Sequence, residues 1–134
     1  VTKAKGSEGD MGEGVNNLFQ LGNFKSHSGE TLPWKIDCDA LVLQDWTCLA
    51  RMIAEEVGAF GRLEGVPKGG LDLMEALRFH RHQYLSGPLL IVDDVLTTGR
   101  SMEEQRAGRD AIGAVVFARG PCPSWVTPLF QMDR

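Results

Sequence analysis

Residues 88–101 read Pro88-Leu89-Leu90-Ile91-Val92-Asp93-Asp94-Val95-Leu96-Thr97-Thr98-Gly99-Arg100-Ser101, and the reading of this stretch decides the fold. Leu89–Val92 is a short, continuous apolar run with Gly87-Pro88 before it and two acids after it. Such a run, without alternation, is the pattern of a parallel strand buried on both faces. Asp93 and Asp94 then fall at the strand's carboxyl end as solvated acids, where open α/β sheets bind their ligands. Thr97-Thr98-Gly99-Arg100-Ser101 comes next, and Met102-Glu103-Glu104 reads as the first turn of a helix. Hydroxyl side chains and a glycine ahead of a helix form a phosphate cradle, because backbone N–H groups and the helix dipole point at the anion. Two carboxylates and an anion cradle so close together suit a sugar phosphate, the acids taking ring hydroxyls and the cradle the phosphate. The plainer use of the same residues is a capped βα turn with two solvated acids.

Upstream, Arg62–Val66 reads as another parallel strand and Gly65-Val66-Pro67-Lys68-Gly69-Gly70 as a glycine turn. Leu71, Met74 and Leu77 then give a helical stripe. A strand that opens through glycines into a helix, with a lysine at the mouth, again suits an anion, although Gly-Gly at a βα turn is often only geometric. Asp45–Val57 is an amphipathic helix whose inner face is Trp46, Leu49, Ala50, Ile53 and Val57, with Gly58 at its end. Phe24–Asp37 reads as a hairpin turning at Gly29, with Pro33 confining its second strand to an edge. Downstream come a helix over Met102–Ala111 weakened by Gly108, a buried strand within Gly113–Ala118, a sharp stop at Arg119-Gly120-Pro121-Cys122-Pro123, and a last strand over Thr127–Gln131. Trp125 either covers the sheet edge or stacks on a base. The expected fold is α/β: a small, mostly parallel sheet of Arg62–Val66, Leu89–Val92, Ala114–Ala118 and Thr127–Gln131, flanked by helices. Residues 1–17 are expected to form a flexible tail and 18–134 a single domain.

The 134 residues carry a formal net charge of −4, which argues against a nucleic-acid partner, since such partners want a basic face. No apolar run approaches the roughly 18 residues of a membrane span, and the first residues show no apolar secretory core. Cys38, Cys48 and Cys122 are odd in number and lack C-x-x-C spacing, so they read as reduced thiols of a cytoplasmic protein.

Ile91–Ser101 resembles the phosphoribosyl pyrophosphate signature of the type I phosphoribosyltransferases. The resemblance implies that Asp93 and Asp94 bind the ribose hydroxyls and help, through water, to place Mg²⁺. It implies that Val95, Leu96, Thr97, Thr98, Gly99, Arg100 and Ser101 form the 5′-phosphate loop. Lys68 and the backbone N–H groups of Gly69 and Gly70 would receive pyrophosphate. Asp93, Asp94 and Lys68 are thus the expected catalytic residues. Phe24–Asp37 is similar to the N-terminal hood of the orotate branch: Phe24, Ser28, Gly29 and Pro33 match its pattern, and Trp34 stands at its tyrosine. His27 replaces a ligand-contacting lysine there, Lys35 an aromatic residue and Asp37 an asparagine, so His27, Lys35 and Ile36 are the expected base pocket with altered chemistry. Thr97, where the 6-oxopurine enzymes carry an acid, also resembles the orotate branch. The family often pairs subunits, which implies a homodimer.

Type I enzymes usually carry a further strand and a long mobile loop between the pyrophosphate loop and the acidic signature. Here only Leu71–Leu90 separates them, which implies a shortened lid. Either the basic cluster Arg78, His80, Arg81 and His82 serves as a stub lid, or a partner supplies one, or turnover is weak. The plainer role of that cluster is to place cations at a helix C-terminus. The expected activity is transfer of ribose 5-phosphate to a nitrogenous base, orotate-like, with release of pyrophosphate. The alternative is a sensor or regulator that binds phosphoribosyl pyrophosphate or a nucleotide without turnover.

Overall fold

The computed structural model describes residues 17–25, 29, 31–82 and 86–132. The expected tail over 1–17 therefore lies, apart from Asn17, outside the described residues. The chain divides into two units, Val1–Val42 and Leu43–Arg134.

The first unit is built on an antiparallel hairpin of β1 (Phe19–Lys25) and β2 (Thr31–Ile36). It begins earlier than the sequence pattern indicates. Its register slips between Leu21 and Phe24, opposite Pro33, which has no N–H to give to the ladder. Leu32 and Ile36 are buried, and Asp37 caps a following 3₁₀ turn by accepting from the Asp39 N–H at 3.0 Å.

The second unit carries the parallel sheet in the order β3 (Arg62–Gly65), β4 (Leu89–Leu96), β5 (Ile112–Ala118), β6 (Val126–Gln131). All three pairings are parallel, as expected. Three helices flank it: α1 (Leu43–Val57), α2 (Leu71–Leu77) and α3 (Arg100–Arg106). Trp46, Ala50 and Ile53 bury the inner face of α1. In α2 the buried residues are Leu73 and Leu77, while Leu71 is exposed, so the buried face is turned away from the 71/74/77 stripe. The expected helix over Met102–Ala111 is shorter and earlier. Ala107 and Gly108 both adopt positive φ (53° and 75°) and stop α3 at Arg106. No helix among the described residues is long and apolar enough to cross a membrane.

Residues that pair in register across parallel strands share a face. Gly65, Val92 and Ala114 form one row, and a Cβ on Gly65 would lie 3.0 Å from the Met74 Cβ of α2. Glu64, Ile91 and Gly113 form the next row, and a Cβ on Gly113 would lie 2.8 Å from the Met102 Cε of α3. Thus α2 and α3 cover opposite faces, although both connections step the same way across the sheet. The two crossovers therefore have opposite hands, whereas parallel crossovers are right-handed in roughly 98% of cases. The two hands meet at β4, the strand that carries the acids. The β5–β6 connection uses only residues 119–125, shorter than the dozen or so usual for a parallel crossover.

Candidate functional site

Because α2 and α3 leave toward opposite faces, the segments after β3 and β4 part at the carboxyl end of the sheet. That is where open α/β sheets form a ligand crevice. The segment after β3 is a tight turn over Val66–Gly70, held by Val66 N–H to Val92 O (2.9 Å), Gly70 N–H to Val66 O (2.7 Å) and Leu71 N–H to Lys68 O (3.0 Å). Its Pro67–Lys68 peptide is cis. Lys68 is exposed at its tip. The Gly70 N–H is already given to Val66, which removes it from the expected anion donors.

β4 does not end at Val92. It pairs with β5 as far as Leu96↔Ala118, so the two acids lie within the strand and not beyond it. Asp93, opposite Val115, is only 6% exposed, which corrects the expectation of a solvated acid. Burial, and then the charge of Asp94, push the Asp93 carboxyl up to about 8. Each acid accepts the next backbone N–H: Asp94 N–H to Asp93 Oδ1 at 2.8 Å and Val95 N–H to Asp94 Oδ1 at 2.7 Å. The half-buried Asp94 reaches toward the other turn, for a Cβ at Gly69 would lie 2.6 Å from both its carboxylate oxygens. A side chain at 69 would have to displace the Asp94 carboxylate, so glycine leaves the acid where it is.

The turn expected to cradle an anion follows at Thr97–Ser101. Gly99 takes a left-handed conformation (φ 89°) that lets the strand turn directly into α3. Thr98 Oγ1 accepts from the Arg100 N–H at 3.3 Å, and Glu103 N–H donates to Gly99 O at 3.0 Å. Val95 is half-buried and Leu96 buried, so Leu96 offers a ligand no side chain. The sequence reading missed the neighbouring corner. Arg119, 4% exposed, follows β5 directly, and its N–H donates to Leu96 O at 2.8 Å. Asp93 and Arg119 are the two buried charged side chains among the described residues. Both stand toward the carboxyl end of adjacent strands, the edge at which open α/β sheets bind their ligands. A lone arginine at the end of an otherwise apolar strand was the available signal, hidden because Arg-Gly-Pro also reads as turn punctuation.

Lys35 Nζ lies 5.0 Å from the centre of the Phe24 ring, and Ile36 is buried within the hairpin unit. His27 lies outside the described residues. Trp125 immediately precedes β6, and its carbonyl accepts from Gly113 near the start of β5. It therefore sits at the amino end of the sheet, opposite the acids. The basic cluster also lies at that end. Arg78–His80 forms a 3₁₀ turn after α2, and His82 N–H donates to Phe60 O just ahead of β3. Its place excludes a stub lid over the carboxyl end.

Among the described residues no three His, Cys, Asp or Glu side chains come together to hold a metal. Two adjacent carboxylates do fit Mg²⁺ that arrives on phosphate oxygens and keeps much of its water shell.

No family model matches the sequence, and no curated protein matches it. The fold does have solved counterparts. It is similar to the orotate phosphoribosyltransferase of Aeropyrum pernix (TM-score 0.66, 20% identity), with 85% of this chain and 88% of that one covered. It is equally similar to the UMP synthase of Leishmania donovani (TM-score 0.66, 20% identity), covering 86% of this chain but only 34% of the other. The orotate phosphoribosyltransferase of Mycobacterium tuberculosis H37Rv follows (TM-score 0.60, 16% identity), with 86% and 90% covered. The acid-bearing strand, the two turns at its carboxyl end and the added hairpin thus stand on the fold of the type I phosphoribosyltransferases.

Proposed function

We propose that this chain binds phosphoribosyl pyrophosphate and transfers its ribose 5-phosphate to a nitrogen of an orotate-like base. The observation that carries the reading is the acid pair Asp93–Asp94, set between the Lys68–Gly69 turn and the Thr97–Ser101 turn. In the transfer, the bond from ribose C1 to a pyrophosphate oxygen breaks, and that oxygen keeps the electron pair. A bond from C1 to the base nitrogen forms, and the nitrogen's proton passes to solvent. Positive charge grows on the ribose as the leaving group departs, so the protein must fix the phosphate, hold the sugar and neutralise the leaving group. The Thr97–Ser101 turn holds the 5′-phosphate. Asp94, with Asp93 behind it, takes the ribose hydroxyls. Lys68 meets the pyrophosphate. Mg²⁺, when bound beside Asp93 and Asp94, supplies charge neutralisation on the pyrophosphate oxygens. The buried Arg119 is a further candidate for an anionic group on the acceptor. The same reading carries a homodimer in the cytoplasm.

A second reading, a ligand sensor without turnover, is favoured by the basic cluster, which lies at the far end of the sheet from the acids. One pair of measurements separates the two readings. Calorimetric titration with phosphoribosyl pyrophosphate and Mg²⁺ tests binding. Pyrophosphate release across a panel of bases tests transfer. Binding with release supports the enzyme, binding without release the sensor, and no binding overturns both. With Lys35 and His27 at the altered hood positions, orotate turnover is expected at least about a hundredfold below a typical rate of roughly ten per second.

A further inference from the structure

The Thr97–Ser101 turn does not shape itself. It lies on the β5–β6 crossover, and a Cβ added to the buried Gly120 would sit 2.5 Å from the Thr97 carbonyl oxygen, closer than real Cβ atoms approach. The obstacle is backbone, which has no flexible side-chain end to swing aside. One residue earlier, Arg119 N–H donates to Leu96 O at 2.8 Å, closing the last rung between the two strand ends. Further along the same segment, the Pro123 Cδ would lie 3.9 Å from a Cβ on Gly99, the residue whose left-handed φ makes the turn possible. Three points of one short connection therefore support the anion turn, at Leu96, Thr97 and Gly99. The brevity of residues 119–125 gives a reason for this support: a segment that short has to cross the sheet close to its surface.

We infer that Gly120 is a positioning residue for the phosphate site: by bringing the crossover against the Thr97 carbonyl, it sets the direction of the N–H groups from Thr98 to Ser101. The inference rests on the phosphate-binding role proposed above. It adds a determinant outside the anion loop that touches no ligand. A side chain at 120 must push the Thr97 carbonyl outward, and a peptide that rotates at 97 carries the 98 N–H with it.

Gly113 provides the control. A Cβ there would also clash, at 2.8 Å from both the Met102 Cε and the Trp125 ring, but at the amino end of the sheet, among side chains. Gly120→Ala and Gly113→Ala are therefore both expected to lower the melting temperature, and only Gly120→Ala to disturb the site. Without ligand, amide chemical shifts of Thr98–Ser101 should move in Gly120→Ala and stay in place in Gly113→Ala. With inorganic phosphate as the probe, Gly120→Ala should lose about tenfold or more in affinity, and Gly113→Ala less than about twofold. Unmoved 98–101 amides in a folded Gly120→Ala protein, or an equal phosphate loss in Gly113→Ala, overturn the inference. If Gly120→Ala does not fold, Pro123→Ala loosens the same support at Gly99 and is judged by the same amides. If the wild type binds no phosphate or phosphoribosyl pyrophosphate, the proposed function fails, while the ligand-free shifts still decide the role of Gly120.

Discussion

Glu64 and Asp93 rise from the same face of adjacent strands, since Glu64 pairs in register with Ile91 and Asp93 is two residues further along β4. Their circumstances are opposite. Arg109 grips Glu64 through two hydrogen bonds of 2.7 and 2.8 Å, and Gln105 adds a third at 2.8 Å. The Arg109 bonds in particular hold the Glu64 carboxyl down at about 2. Asp93 is buried beside another acid and is held up at about 8. Where α3 ends against β3, the fold supplies a guanidinium to match the carboxylate geometry. Where β4 runs into the Thr97–Ser101 turn, it leaves two acids side by side. A charge satisfied by the chain fastens an element; a charge kept from its ionised form is poised for something that comes from outside.

The largest effect expected from this contrast is on binding. Asp93→Asn with Asp94→Asn should lower the affinity for Mg²⁺–phosphoribosyl pyrophosphate by about a hundredfold or more, since two groups on the ribose are lost together. Calorimetry that finds the affinity unchanged removes the acid pair from the site. The loss should come without a loss of folding stability, because a buried carboxyl with a raised pKa opposes folding once it ionises.

That leads to a pH test on the single substitution. The folded pKa of Asp93 lies above its ordinary value of 3.8. Its contribution is therefore complete below about pH 4 and is lost as pH rises through about 8. Relative to Asp93→Asn, the wild type should lose stability steadily between pH 5 and 8 in urea titrations. Parallel profiles for the two proteins would mean that Asp93 is no more perturbed than a surface acid.

Much of this contrast was legible in the sequence. The unbroken apolar run Leu89–Val92 marks a buried strand, and the glycines of 65–70 and 99 mark turns where strands meet helices. The burial of Asp93 was not legible. Two acids after four apolar residues look like a strand's exit, and only the register with Val115 and Ala118, more than twenty residues away, keeps them inside the sheet. The end of α3 was hidden for a different reason: Gly108 reads as a weak point within a helix, whereas Ala107 already leaves helical geometry one residue earlier. Which of its two uses Trp125 serves was hidden because nothing in residues 119–125 announces that so short a connection runs the full height of the sheet. Local pattern located the strands and turns, and pairing across the sheet decided which side chains they bury.

On the other side of the contrast, Glu64→Gln should cost about 1 kcal/mol, in the range of a part-exposed ion pair, and leave affinity for phosphoribosyl pyrophosphate unchanged. The sign with pH is the reverse of that for Asp93. The Glu64 carboxyl is depressed from 4.5, so its contribution is present above that pH and fades as pH falls toward 2. Denaturant midpoints of wild type and Glu64→Gln should converge in acid. A gap that stayed constant down to pH 2.5 would show that Arg109 holds something other than the ionised carboxylate. A fall in ligand affinity would show that this end of α3 acts on the site.

The smallest expected effect is that of Trp125→Phe, and it tests whether the two ends of the sheet are independent. The Trp125 Nε1–H donates to Glu103 Oε2 at 2.8 Å, Arg106 lies 4.5 Å from the centre of the ring, and the same Glu103 accepts from Arg106 at 2.7 Å. This cluster ties the crossover to α3. Phenylalanine keeps an aromatic face for Arg106 and loses only the indole donor, and Glu103 retains its arginine. The cost should be small, the loss of one exposed hydrogen bond. Base and phosphoribosyl pyrophosphate affinities should not move, because the ring lies at the amino end of the sheet while ligands belong at the carboxyl end. A ring that stacked on a base would behave otherwise, since a smaller aromatic at the same position offers less surface and weakens the base selectively. Equal base affinity in the two proteins, measured with phosphoribosyl pyrophosphate present, keeps Trp125 a fastener of α3. A selective loss of base affinity would place it in the site and undo the separation between the two ends of the sheet.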